Sequence, residues 1–412
     1  MPAGREDADG DGVDHLDQGP PSPSDARRLV LLTVLLLVGA LVAVVGLSRP
    51  DASVTPEPSP TAPVERPTPS TRPTPSPSPS ATADEDQPVR DTSGVPVLPD
   101  ADPSWELFLQ TARDVQRLQL STGDVVRTRS RVASAPGSRA AFLPGPDGVL
   151  AFSEESGTAE YVPDDAAAER VEIPGALERS RGFLSLLPGP PGHAWVSRFD
   201  YEGGATAVEL VDLTGRPAGG ESTITVPGTA WPAVLPDGVG GLLVQATGGV
   251  WSLAGPRPQR ITRGRVLATG PRVLVVLDCD DALICSRYVL EPGTGRERRV
   301  GMAQPSDGYA ESGLTSPDGR WMAVRERGGD GTDRVVVTDL LDGRTVASLP
   351  DGGGSLSVDP ANAMAWTPDS GQLFHLDGDG LGLFDPATSE RRRVELGGVT
   401  PVRLALRAQD AP

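Results

Sequence analysis

Ser316-Pro317-Asp318-Gly319-Arg320-Trp321-Met322-Ala323-Val324 is a hairpin turn feeding an apolar strand. The same phrase, an apolar strand, a Pro-Asp-Gly-like turn and a second apolar strand, recurs along the chain. It runs from Phe142-Leu143 through Pro144-Gly145-Pro146-Asp147-Gly148 to Val149-Leu150-Ala151-Phe152, and again over residues 186–196. It returns as Val234-Leu235-Pro236-Asp237-Gly238 leading to Leu242-Leu243-Val244, and as Trp366-Thr367-Pro368-Asp369-Ser370-Gly371-Gln372-Leu373-Phe374. A degenerate copy, Gly270-Pro271-Arg272-Val273-Leu274-Val275-Val276, fills the gap between the third and fourth clear ones.

A second phrase alternates with the first, a strand ending in a Thr-Gly or Asp-Gly turn. Its members lie at residues 118–123, 208–215, 250–255, 288–295, 335–343 and 381–388, and Tyr161-Val162-Pro163-Asp164 is a poor one. Two hairpins make a four-stranded antiparallel unit recurring about every 40–50 residues, the period of a propeller blade. Seven second hairpins stand against six first ones. The chain enters near Asp114 with a second hairpin and ends on a lone strand over residues 399–406. Joining the two completes a seventh blade and removes an exposed sheet edge. The expectation is an all-β propeller over residues 105–412 with seven four-stranded blades. Six is the alternative, because the region around Tyr161 is poorly patterned.

At residues 316–324, and more loosely at 367–374, the phrase resembles the repeat of TolB-like and WD-repeat-like propellers. That resemblance implies a β-propeller and, by family habit, protein or ligand binding. The Thr-Gly phrases are also similar to those of pyrroloquinoline-quinone-dehydrogenase-type propellers. The tryptophan that closes each of those repeats is absent here, and no cofactor is expected.

Outside the repeats, residues 29–47 form an unbroken apolar run preceded by Arg27-Arg28. About 19 residues at 1.5 Å each make a helix of about 28 Å, close to the hydrocarbon thickness of a bilayer. The flanking arginines place residues 1–28, a short acidic tail, in the cytoplasm and the remainder outside. A cleaved signal peptide is the rival reading, with Gly46-Leu47-Ser48 as a weak cleavage site. Residues 48–104 are rich in Pro, Ser and Thr, and are expected as a disordered, extended linker. Every basic residue is Arg, a bias pointing to a high-GC, actinobacterial genome. The net charge of −19 argues against nucleic acid, whose phosphates need a basic surface.

Few residues carry chemistry. Cys279 and Cys285, the two cysteines of the chain, flank a short turn and are expected as a structural disulfide. His193 and His375 fall in different blades and read as surface or packing residues. Asp7-Ala8-Asp9-Gly10-Asp11-Gly12 begins like a calcium loop but meets Gln18 where a closing Glu belongs. Asp377-Gly378-Asp379-Gly380 reads as a hairpin turn. Trp195, Trp231, Trp251, Trp321 and Trp366 sit at blade-like positions that suit packing between blades. No Gly-x-Ser-x-Gly elbow, zinc signature or phosphate-cradling loop occurs. No catalytic, cofactor or metal residue is expected. The chain reads as a single-pass, membrane-anchored, extracytoplasmic binding or scaffold module, with an envelope protein, glycan or small ligand as partner. The alternative is an extracytoplasmic propeller enzyme, a hydrolase or a quinoprotein-like one.

Overall fold

The computed structural model describes residues 88–408 apart from short stretches at 92–93, 133–138, 177–181, 201–204, 220–221, 225–232, 247, 256, 283, 303–309, 329–330, 353–358 and 379. The acidic tail at 1–28, the apolar run at 29–47 and most of the linker expected at 48–104 lie outside the described residues, as does the Asp7–Gly12 motif. The described chain is a ring of seven antiparallel sheets, six of four strands and one of five. In each four-stranded sheet consecutive strands are neighbours, as hairpin turns every few residues dictate. The innermost strands are Ala140–Gly145, Gly182–Pro188, Ala233–Pro236, Arg265–Ala268, Ala310–Thr315, Met364–Trp366 and Arg403–Ala408, numbered here as blades 1 to 7.

Blade 7 is built from both ends of the chain. Its innermost strand, Arg403–Ala408, pairs antiparallel with Trp105–Gln110, so the last strand closes onto the first hairpin. The closing strand is shorter and later than the expected 399–406, because Val399 and Val402 serve the turn that delivers it, donating to the Leu396 and Gln110 carbonyls. A fifth strand, Val89–Asp91, caps the outer edge of this blade by pairing with Val125–Arg129. From there the chain passes along blade 7, where the Val97 and Leu98 amides share the Leu120 carbonyl and Val97 is buried. Ordered contacts therefore begin ahead of residue 105, where the propeller was expected to start. Val97 and Leu98 supply apolar surface that the Pro/Ser/Thr tract before them lacks.

In blades 5 and 6 the recurring turn has one hydrogen-bond scheme. In blade 5 the Ser316 hydroxyl donates to Asp318 Oδ1 (2.5 Å), while Asp318 Oδ1 accepts from Arg320 N (3.0 Å) and Ser316 Oγ from Trp321 N (2.9 Å). Thr367 and Asp369 repeat it in blade 6, with Gln372 N and Gly371 N as donors. Gly319 sits at φ +76°, and Ser370 holds the matching position at φ 66°. Glycine suits that left-handed corner. Ser370 is held in it by its hydroxyl, which accepts from Asp318 N (2.9 Å) and so joins blades 5 and 6. All such turns follow the innermost strand, so they gather on one face, called lower here. The upper face is where the innermost strands begin.

The core lies between blades. Trp195 and Trp251 share one apolar cluster with Leu187, Val208 and Val244, spanning blades 2 and 3. Trp321 and Trp366 share another across blades 5 and 6 with Val335, Val337 and Phe384. Four of the five tryptophans expected between blades thus pack there, and Trp231 lies outside the described residues.

Cys279 and Cys285 form a disulfide at the tip of an upper-face hairpin, as directly opposed residues of neighbouring strands. A loop this short removes little denatured-state entropy, so the bond pins a hairpin already held by strand pairing. Cys279→Ser is expected to lower the unfolding temperature modestly, and the double Cys→Ser variant to cost little more, since each removes the same bond. Calorimetry of the three proteins checks this, and a double variant much worse than the single would contradict it.

Candidate functional site

Seven innermost strands leave space along the ring axis. A cavity of about 370 Å³ opens there towards the upper face, lined from blades 1 to 6. Its wall is mostly apolar, with Phe152, Phe183, Leu186, Val234, Leu267 and Leu314 among the lining side chains. All but Phe152, which comes from the second strand of blade 1, lie on innermost strands, whose edges border the axis, and their apolar side chains exclude water from the shared centre. Among the described residues, Glu154 of blade 1 and Asp359 at the entry to blade 6 bring the only carboxylates to the lining. Gln245 also borders it, and its side-chain oxygen accepts from Val266 N (2.7 Å), tying blade 3 to blade 4. A second cavity of about 400 Å³, more polar, lies on the lower face between residues 98–101 and blade 6.

Asp359 is placed by local sequence. Asp359-Pro360 is a helix start, with Asp capping and Pro at the first helical position. The resulting single turn, Pro360–Ala363, precedes the innermost strand of blade 6, and the Asp359 carboxylate accepts from Ala361 N (2.9 Å). Burial raises the Asp359 carboxyl above its ordinary value, against the opposing pull of Ala361 N and Arg325. The Arg325 guanidinium is itself buried and paired with Asp351 (2.7 Å), both side chains 1% exposed. His375 lies near this group. Burial pushes its imidazole pKa down, with the Leu376 backbone and the Asp377 and Asp351 charges pulling the other way. On the blade 1 side of the mouth, Arg139 stacks on the Phe183 ring (4.5 Å to its centre) and reaches Glu154 at 4.0 Å.

The residues singled out in the sequence do not assemble into a site. The disulfide stands at a hairpin tip, His193 opens the second strand of blade 2 at the lower face with its ring against the Pro191 carbonyl, and His375 is buried in blade 6. Asp377 and Gly380 are opposed residues of a hairpin, as expected of a turn. Among the described residues no three His, Cys, Asp or Glu side chains are grouped to hold a metal ion. The cavity residues were missed because apolar positions facing the axis look like core positions in a sequence. The signal that could have found Asp359 is Asp359-Pro360 itself, a helix start within a run of strands.

No family model matches the sequence, and no curated protein matches it. Similar solved structures exist. A putative 6-phosphogluconolactonase from Bacteroides uniformis is 14% identical over 74% of this chain and 100% of its own, with a TM-score of 0.47. Apo AztD from Citrobacter koseri is 13% identical over 74% and 98%, TM-score 0.44. TolB from Acinetobacter baumannii is 15% identical over 74% and 82%, TM-score 0.37. At these identities nothing about activity or partner passes from them to this chain.

Proposed function

We propose that the chain is a membrane-anchored, extracytoplasmic recognition module whose propeller binds its ligand at the upper mouth of the central channel, without catalysing a reaction. One observation carries the reading: the axial cavity has the volume and the apolar wall of a small-molecule site, about 300–1,000 Å³ in general. The placement rests on the apolar run at 29–47, its Arg27-Arg28 flank and the disulfide, which suits an oxidising compartment. One feature favours the enzyme alternative. A carboxyl held above its usual range in a cavity wall, as Asp359 is, suits a general acid.

A single engineered thiol tests topology and site together, because Cys279 and Cys285 are already bonded. In intact cells, Ala233→Cys at the channel mouth should react with a membrane-impermeant maleimide, while Asp9→Cys should react only after permeabilisation. The opposite pattern would invert the topology. Native mass spectrometry of the full chain in lipid nanodiscs should then show a co-purifying small molecule. That molecule should be lost when a bulky maleimide is attached to the thiol introduced by Ala233→Cys. A retained molecule would overturn the channel reading. Turnover of any substrate in a hydrolase screen, abolished by Asp359→Asn, would overturn the non-catalytic one.

A further inference from the structure

We infer that the channel mouth selects an amphipathic cation, an apolar body carrying an ammonium or guanidinium group; this rests on the channel reading above. Both charged residues described in the cavity lining, Glu154 and Asp359, are acidic. Burial raises the Asp359 carboxyl, and Arg325, the guanidinium acting on it, is already engaged by Asp351, so a ligand cation placed beside Asp359 favours its charged form and is drawn to it. The opposite wall shows the recognition chemistry in use. There the chain's own Arg139 lies over Phe183, 4.5 Å from the ring centre, and 4.0 Å from Glu154, while its side chain stays 55% exposed.

A ring face and a carboxylate are the two groups that hold an organic cation, the first through its quadrupole and the second through charge. Arg139 is therefore an internal occupant at the rim, solvated enough to be displaced by a ligand that also fills the apolar space behind it. Phe183, Phe152 and Leu186 bury the ligand's body, and the carboxylates receive its head. The chain's acidic excess, most of which lies beyond residue 47, raises the local concentration of cations and disfavours anions. An anionic ligand of the same shape would meet the Glu154 and Asp359 carboxylates, while the guanidiniums beside them, Arg139 and Arg325, are already engaged by Glu154 and Asp351.

The test uses three probes of one shape: 4-phenylbutylammonium, 4-phenylbutanol and 4-phenylbutyrate. Each is titrated calorimetrically into the full chain in lipid nanodiscs, with empty nanodiscs as the blank. The ammonium should bind about tenfold more tightly than the alcohol, the scale of one charge-assisted hydrogen bond, and the butyrate most weakly. Asp359→Asn keeps a good helix cap and removes the charge, so it should erase most of the ammonium's advantage and leave the alcohol unchanged. Arg139→Gln removes the competing cation and should strengthen ammonium binding. Equal binding of ammonium and alcohol, or an ammonium preference untouched by Asp359→Asn and weakened by Arg139→Gln, would overturn the cation inference and leave the channel reading in place. Failure of all three probes to bind the wild-type chain would count against the channel reading itself.

Discussion

Removal of residues 399–412 abolishes cooperative unfolding of the propeller. The closing strand Arg403–Ala408 opposes all six residues of Trp105–Gln110, and this pairing joins the two chain ends of the ring. Without it, Leu107 and Leu109 lose Leu404 from their cluster, and Phe108 loses Ala405 from the cluster it shares with Phe142 and Val149. Blade 1 then has no innermost neighbour on that side, and Trp105–Gln110 becomes an open edge able to pair with another chain. A ring differs from an open repeat array in that every blade is held on two sides, so opening it weakens two interfaces at once. The truncated chain should show no sharp calorimetric transition and should aggregate on heating. A transition as sharp as that of the full chain would show that the other blades and the remnant of blade 7 are self-sufficient, and the closure account would be wrong.

How much of this was readable beforehand depends on whether a feature is local or comes from assembly. The Ser-Pro-Asp-Gly phrase is legible because its hydrogen bonds stay within five residues, as Ser316 to Trp321 shows. Blade number followed from counting those phrases, and closure followed from one missing hairpin and one spare strand. Residues 88–101 were less legible. Val89 is 63% exposed and Val95 83% exposed, so only Val97 among these valines contributes to the core, and three valines scattered near a Pro-rich tract make no periodic pattern. The channel wall was not legible at all, since Leu186, Val234, Leu267 and Leu314 occupy ordinary strand positions whose exposure to an axis exists only once the ring closes. Arg139, Phe183 and Glu154 come from two blades, and no spacing in the sequence joins them.

The same is true of the charged seam that locks the ring, and it yields the second large effect. Arg407→Ala destabilises the protein by about 3–5 kcal/mol, the range for breaking a buried pair and leaving its partners uncompensated. The Arg407 guanidinium, 4% exposed, lies in the closing strand between blades 7 and 1. It bonds Glu106 Oε2 through Nε (2.9 Å), the Gly145 carbonyl (3.1 Å) and Asp164 Oδ2 (2.7 Å), and it stacks on Phe108 at 4.8 Å. Burial alone would lower its pKa, but the hydrogen bonds and charges of Asp164 and Glu106 together outweigh that and raise it, so it stays charged. Arg117 reaches the same two carboxylates at 3.1 and 3.5 Å, and being more exposed it is the weaker counter-charge. Truncation to Ala thus strands Glu106 and Asp164 beside one remaining guanidinium and opens a gap against Phe108. For a propeller of this size the loss corresponds to a fall in the unfolding temperature on the order of 10 °C. Arg407→Met fills the gap without the charge, and adding Glu106→Gln removes one stranded carboxylate, so that double variant should recover part of the loss. If Arg407→Ala unfolded within about 2 °C of the wild type (roughly 1 kcal/mol or less), the seam between blades 7 and 1 would be held by its apolar residues alone, and the charged lock would carry no stability.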